Sequence, residues 1–69
     1  MHTFDAVVER CPDTGYYVGY VPSFSGAHAQ GKTLDELRVN LEEVITLLLE
    51  DGDPHIQSEF VGLQRIRVA

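Results

Sequence analysis

Tyr16-Tyr17-Val18-Gly19-Tyr20-Val21-Pro22, continued through Ser25-Gly26-Ala27-His28-Ala29-Gln30-Gly31 into Thr33-Leu34-Asp35-Glu36, decides the fold of this chain. Strand side chains alternate between faces, so Tyr16, Val18 and Tyr20 fall on one side of an extended run and Tyr17, Gly19 and Val21 on the other. Pro22 ends the ladder by removing a donor. Thr33 occupies a helix N-cap position and Glu36, three residues on, completes a capping box. Leu34, Leu37, Leu41, Val44 and Leu48 then recur at spacings of three and four, which predicts an amphipathic helix from about Thr33 to Asp51. Gly52 and Pro54 supply its stop. Glu50 and Asp51 face the negative end of the helix dipole, which predicts fraying there.

On the N-terminal side, Phe4, Ala6 and Val8 alternate with Asp5, Val7 and Glu9, the pattern of a first strand. Cys11-Pro12-Asp13-Thr14-Gly15 has the composition of a turn, so the first two strands should pair as an antiparallel hairpin. A short third strand is expected from about Ala27 to Gln30. Beyond the helix, Phe60, Gly62, Gln64, Ile66 and Val68 alternate with Val61, Leu63, Arg65 and Arg67, which predicts a final strand over Glu59 to Val68 with both arginines on one side. The expected architecture is α+β and two-layered: a three-stranded antiparallel sheet, one helix and a last strand, β-β-β-α-β, forming a single domain over residues 1–69. No internal repeat, linker or low-complexity tract divides the sequence.

With 69 residues, the chain buries only about 60% of the surface its unfolded form exposes, so its core is small. Five basic residues against eleven acidic ones leave a net charge of −6. That balance argues against direct binding of nucleic acid, which relies on clustered Lys and Arg, and suits a basic partner. A lone cysteine forms no internal disulfide and points to the cytoplasm. Met1 to Asp5 lacks the pattern of a signal peptide, and the apolar run Val44 to Leu49 is far shorter than the ~20 residues that span a bilayer, so no membrane association is expected.

Catalytic and metal-binding readings fare poorly. His2, His28, His55 and Cys11 lie in separate segments without the paired spacing of a zinc site. Ser23, Ser25, His28 and Asp35 include the residue types of a hydrolase triad, but no Gly-x-Ser-x-Gly elbow accompanies them. Asp5, Glu9, Asp35, Glu36, Glu42 and Glu43 raise the question of a two-metal nuclease. Such chemistry needs convergent carboxylates, whereas Glu36, Glu42 and Glu43 belong on the solvent side of the helix. Gly26 and Gly31 belong to no phosphate-binding loop. The expectation is a non-enzyme with no cofactor and no metal.

Gly15-Tyr16-Tyr17-Val18, Val21-Pro22, Ser25-Gly26, Gln30-Gly31, Thr33-Leu34-Asp35-Glu36 and Asn40-Leu41-Glu42-Glu43, in this order and spacing, resemble the HicB-like antitoxin family of bacterial and archaeal toxin–antitoxin systems. The resemblance covers nearly the whole chain and implies a fold similar to a partial ribonuclease H. Ala27 departs from the Cys that many relatives carry there. Many family members also continue into a DNA-binding module, whereas this sequence ends at Ala69, so the N-terminal domain alone is expected. The resemblance implies an antitoxin that masks a HicA-like toxin, a small ribonuclease. Exposure and chemistry nominate Tyr16, Tyr20, Phe24 and His28 as partner contacts, with Asp35 and Glu42 steering the encounter. One helix covers only one sheet face, so the aromatic other face should be buried in a homo-oligomer, a dimer or tetramer. The alternative function is a stand-alone homo-oligomeric adaptor or ligand-binding domain with no toxin partner.

Overall fold

The computed structural model describes residues 2–52 and 58–69. Three strands come first, β1 (Val7–Arg10), β2 (Tyr17–Tyr20) and β3 (His28–Gly31), followed by one helix, α1 (Leu34–Glu50). The sheet is antiparallel in the order β1-β2-β3, with Val8 opposite Gly19 and Gly19 opposite Ala29. This is the expected α+β domain through the β-β-β-α portion, with β1 starting three residues later than its alternation suggests and the other strand bounds within one residue of expectation.

Local chemistry explains each connection. The Cys11 N–H donates to the Tyr16 carbonyl and the Gly15 N–H to the Cys11 carbonyl, both at 2.8 Å, closing the first hairpin. Gly15 takes φ +76°, a conformation that side chains with a Cβ resist. Between β2 and β3, Val21 donates to the Ala27 carbonyl at 2.9 Å, while Phe24 and Ala27 donate in turn to Val21 and Phe24, both at 3.1 Å. These bonds coil the loop inward.

Thr33 caps the helix as expected, its Oγ1 accepting the Glu36 N–H at 3.1 Å. The return bond differs in detail from a capping box. Glu36 Oε1 accepts from the Lys32 N–H at 3.1 Å, one residue before the cap, so the carboxylate clamps the strand-to-helix turn itself. At the far end Asp51 and Gly52 donate to the carbonyls of Leu48 and Leu49, a tightened last turn in which Gly52 has φ +132°. Pro54, the second expected stop signal, lies outside the described residues.

The helix packs on the Tyr17, Gly19 and Val21 side of the sheet. A Cβ built on Gly19 falls 3.1 Å from a Leu41 methyl and 3.2 Å from a Leu37 methyl, so the helix rests on strand backbone. The core comprises Val21, Phe24, Ala27, Leu37 and Leu41, with Phe4, Ile45, Leu48 and Leu49 partly buried around it. Leu34, assigned to the apolar stripe by its spacing, is exposed instead, at the first position of the helix. The helix lies mainly over β3, less over β2, and leaves β1 uncovered. Asn40 Nδ2 fastens it by donating to the Gln30 carbonyl at 2.8 Å.

The final strand expected over Glu59 to Val68 is not formed. Residues 58–69 carry no strand, and Val61, Leu63, Ile66 and Val68 are 94%, 87%, 69% and 83% exposed. Alternation specifies which side chains share a face, but a strand also needs a neighbouring ladder, and this tail takes none within its own chain. The likeness to a partial ribonuclease H fold, implied by the family resemblance, stays an expectation.

Candidate functional site

The six nominated residues separate into three environments. Tyr20 and His28 sit directly opposite each other on β2 and β3. Since Gly19 faces the helix, its neighbour Tyr20 points to the uncovered side of the sheet, where it is 42% exposed. Val18 and Gln30, paired across the same two strands, share that open face, and β1 contributes Val7 opposite Tyr20 and Glu9 opposite Val18. Tyr16 lies one residue before β2, half-buried, with its N–H donated to Thr14 Oγ1 at 3.1 Å and its carbonyl holding Cys11. It is a hairpin residue adjoining this surface.

Phe24 belongs elsewhere. It is 7% exposed and packs with Val21 and Ala27, its ring centroid 5.4 Å from that of Phe4. The expectation that it meets a partner is corrected. The bonds from Phe24 to Val21 and from Ala27 to Phe24 turn the ring under the helix, which a reading of the loop as exposed Ser and Gly did not anticipate.

Asp35 and Glu42 are exposed residues of α1 seven positions apart, hence on nearly the same side of the helix. Glu42 Oε1 pairs with Arg38 Nη1 at 2.6 Å, and both side chains remain more than half exposed. Arg38 is the only basic residue in the helix, which also displays Glu36, Glu43 and Glu50 to solvent. Val39 and Leu47 stand exposed among these carboxylates. Because the helix covers one sheet face and Tyr20 with His28 occupies the other, the aromatic and acidic candidates form two opposed surfaces. A single partner patch cannot use both.

Among the described residues, no group of three His, Cys, Asp or Glu side chains is placed to hold a metal ion. His2 stacks on Phe4 at 6.0 Å, His28 lies opposite Tyr20 on the open face, and His55 lies outside the described residues. Cys11 sits in the first hairpin turn. A hydrogen bond from the Thr14 side chain, helped by the backbone of Thr14 and Asp13, lowers its thiol below the ordinary value. No described helix is long and apolar enough to cross a membrane.

A largely apolar groove between the segment that precedes β1 and α1 escaped the sequence reading. Phe4, Ala6, Val21, Leu41, Ile45 and Leu49 line it. Its signal was available in the length of the apolar helical face, wide enough for more sheet than three short strands provide.

Residues 4–54 match the UPF0150-like family model. Curated relatives are similar over almost the whole length. A UPF0150 protein of Thermotoga maritima is 46% identical over 66 residues, covering 94% of this chain and 88% of the relative. One from Synechocystis sp. is 43% identical and one from Archaeoglobus fulgidus 45% identical, each over 65 residues, or 94% of this chain and 93% of the relative. No solved structure matches the chain. With a family model spanning most of its length and relatives aligned nearly end to end, the chain belongs to the UPF0150 family.

Proposed function

We propose that the chain is a HicB-like, antitoxin-type binding module that works in the cytosol by masking a small basic protein, of the kind a HicA-like ribonuclease toxin represents. The observation that carries this reading is the outward side of α1, where Asp35, Glu36, Glu42, Glu43 and Glu50 are exposed with Arg38 as their only helical counter-charge. Carboxylates arrayed this way accelerate the encounter with a cationic surface. Val39 and Leu47, exposed between them, supply apolar contact once the partner is seated. Masking works by covering the partner's own surface and requires no catalytic group here.

Pull-down of the tagged chain from its native cells is the direct test. A small basic protein should be recovered, and the purified pair should dissociate as salt is raised. Asp35→Lys combined with Glu43→Lys should weaken binding at least tenfold without changing the helical circular dichroism. Recovery of no basic partner, or binding indifferent to that charge reversal, refutes the reading. The second reading, a homo-oligomeric adaptor without a toxin partner, is supported by Tyr20 and Val18 on the uncovered sheet face. Recovery of no basic partner, together with self-association that Tyr20→Glu on the open face dissolves, distinguishes it.

A further inference from the structure

The tail and the body of this molecule each lack what the other offers. In the sheet order β1-β2-β3, β3 lies beneath the helix and gives its Gln30 carbonyl to Asn40, whereas β1 is uncovered and forms a free edge. Such an edge presents unpaired backbone donors and acceptors. Just before the start of this edge lies the groove lined by Phe4, Ala6, Ile45 and Leu49, and the edge itself exposes Val8, which shares the helix-side face with its partner Gly19.

The tail has the matching composition. Val61, Leu63, Ile66 and Val68 are almost fully exposed, an arrangement with no stabilising role in an isolated chain. Ser58, Glu59 and Phe60 lie close to His2, Thr3 and Phe4, so the tail leaves the body at the start of β1 but does not close on its own edge. The radius of gyration is 13.5 Å, against about 11 Å for a compact chain of this length, as a projecting arm requires. Charge is also complementary. Residues 1–59 hold three basic and all eleven acidic side chains, a balance of −8, whereas residues 60–69 hold Arg65, Arg67 and no carboxylate side chain, a balance of +2.

We propose that residues 60–68 of each chain add as a strand to the free β1 edge of a second copy, so that the protein dimerises by exchanging tails. Alternation fixes the faces. With Ile66 and Val68 turned toward the groove, alongside Ala6 and Val8, Arg65 and Arg67 fall on the opposite face with Asp5 and Glu9. The reverse setting places two arginines over the apolar groove. Each chain supplies one arm and one edge, so the exchange is reciprocal and closes at two copies.

Light scattering on the full chain, combined with hydrogen exchange, tests the proposal. The wild type at micromolar concentration should scatter at about 15 kDa, twice the 7.7 kDa chain mass, with the amides of Val61 to Val68 protected. Ile66→Asp with Val68→Asp should yield a monomer with unprotected tail amides and unchanged helical circular dichroism, since both side chains lie outside the core. Tyr20→Glu on the open sheet face should leave the dimer intact. A wild-type monomer overturns the proposal, including one whose tail amides are protected by closure on its own β1. So does an assembly that survives the tail substitutions, or one that Tyr20→Glu dissolves. None of these outcomes depends on a basic partner, so they stand apart from the test of masking.

Discussion

Replacing Gly31 by Ala probes the closest approach of helix backbone to a glycine among the described residues. An ideal Cβ there falls 2.6 Å from the Leu37 backbone nitrogen and 3.0 Å from both the Glu36 carbonyl carbon and the Leu37 Cα. Non-bonded heavy atoms sit comfortably at about 3.5–4.0 Å, so the first turn of α1 must retreat by up to about 1 Å. Backbone cannot swing aside as a side chain can. The retreat pulls Leu37, 2% exposed, out of its seat and stretches the bond from Thr33 to Glu36. Overpacking of this kind costs about 1–3 kcal/mol, and backbone obstruction puts Gly31→Ala in the upper half. Alanine restricts the unfolded chain and returns about 0.4–1 kcal/mol. The net loss is about 1–2.5 kcal/mol, within a total of about 3–10 kcal/mol for a chain of this size. Thermal unfolding followed by circular dichroism should show a midpoint about 4–20 °C lower, at about 4–8 °C per kcal/mol. The control is Gly19→Ala, whose new methyl meets only the ends of Leu37 and Leu41 and should cost under about 1.5 kcal/mol. A Gly31→Ala variant as stable as wild type, or a Gly19→Ala variant more damaging than it, refutes the reasoning.

Further outcomes follow from the same geometry. Leu41→Ala should lower urea stability by about 2–5 kcal/mol, as for other emptied leucine sites, whereas Glu43→Ala should change it by under about 0.5 kcal/mol; equal losses would contradict the assigned helical face. Cys11, its thiol lowered by the Thr14 hydroxyl, should alkylate with a pH midpoint below that of a free cysteine, and Thr14→Val should return the midpoint upward. An unchanged profile on removing that hydroxyl would disprove the assigned cause. The chain should give no salt-sensitive shift of duplex DNA at physiological ionic strength, given its −6 charge. Binding that disappears when Arg65 and Arg67 are both replaced by Ala would contradict this.

The sequence was most legible where the cause of structure is local. Thr33 and Glu36 mark the helix start because capping is a matter of a few adjacent bonds, and the sheet faces follow from alternation at Tyr16 to Val21. Leu37 and Leu41 were assignable to the core from spacing alone. Legibility failed where the answer lies in a distant neighbour. Phe24 reads as exposed in a Ser- and Gly-rich loop, and only the coil closed by the Val21 and Ala27 bond takes it under the helix. Glu59 to Val68 carries the alternation of a strand, yet alternation does not supply the ladder it must join. The nominated surface failed for a similar reason. Asp35 and Glu42 satisfy one criterion and Tyr20 and His28 another, and only the layering reveals that helix and open sheet face point away from each other.

The order β1-β2-β3 has a consequence for how the molecule is made. Each strand pairs only with its neighbour in sequence, the widest paired separations being Val7 with Tyr20 and Tyr17 with Gly31, so the sheet forms without closing a long loop. Low contact order of this kind brings rapid first-order refolding, and two hairpins with a capped helix can assemble in the millisecond range or faster. The rate of that phase should be the same at every protein concentration. Formation of the sheet and helix therefore does not await an encounter with a second copy.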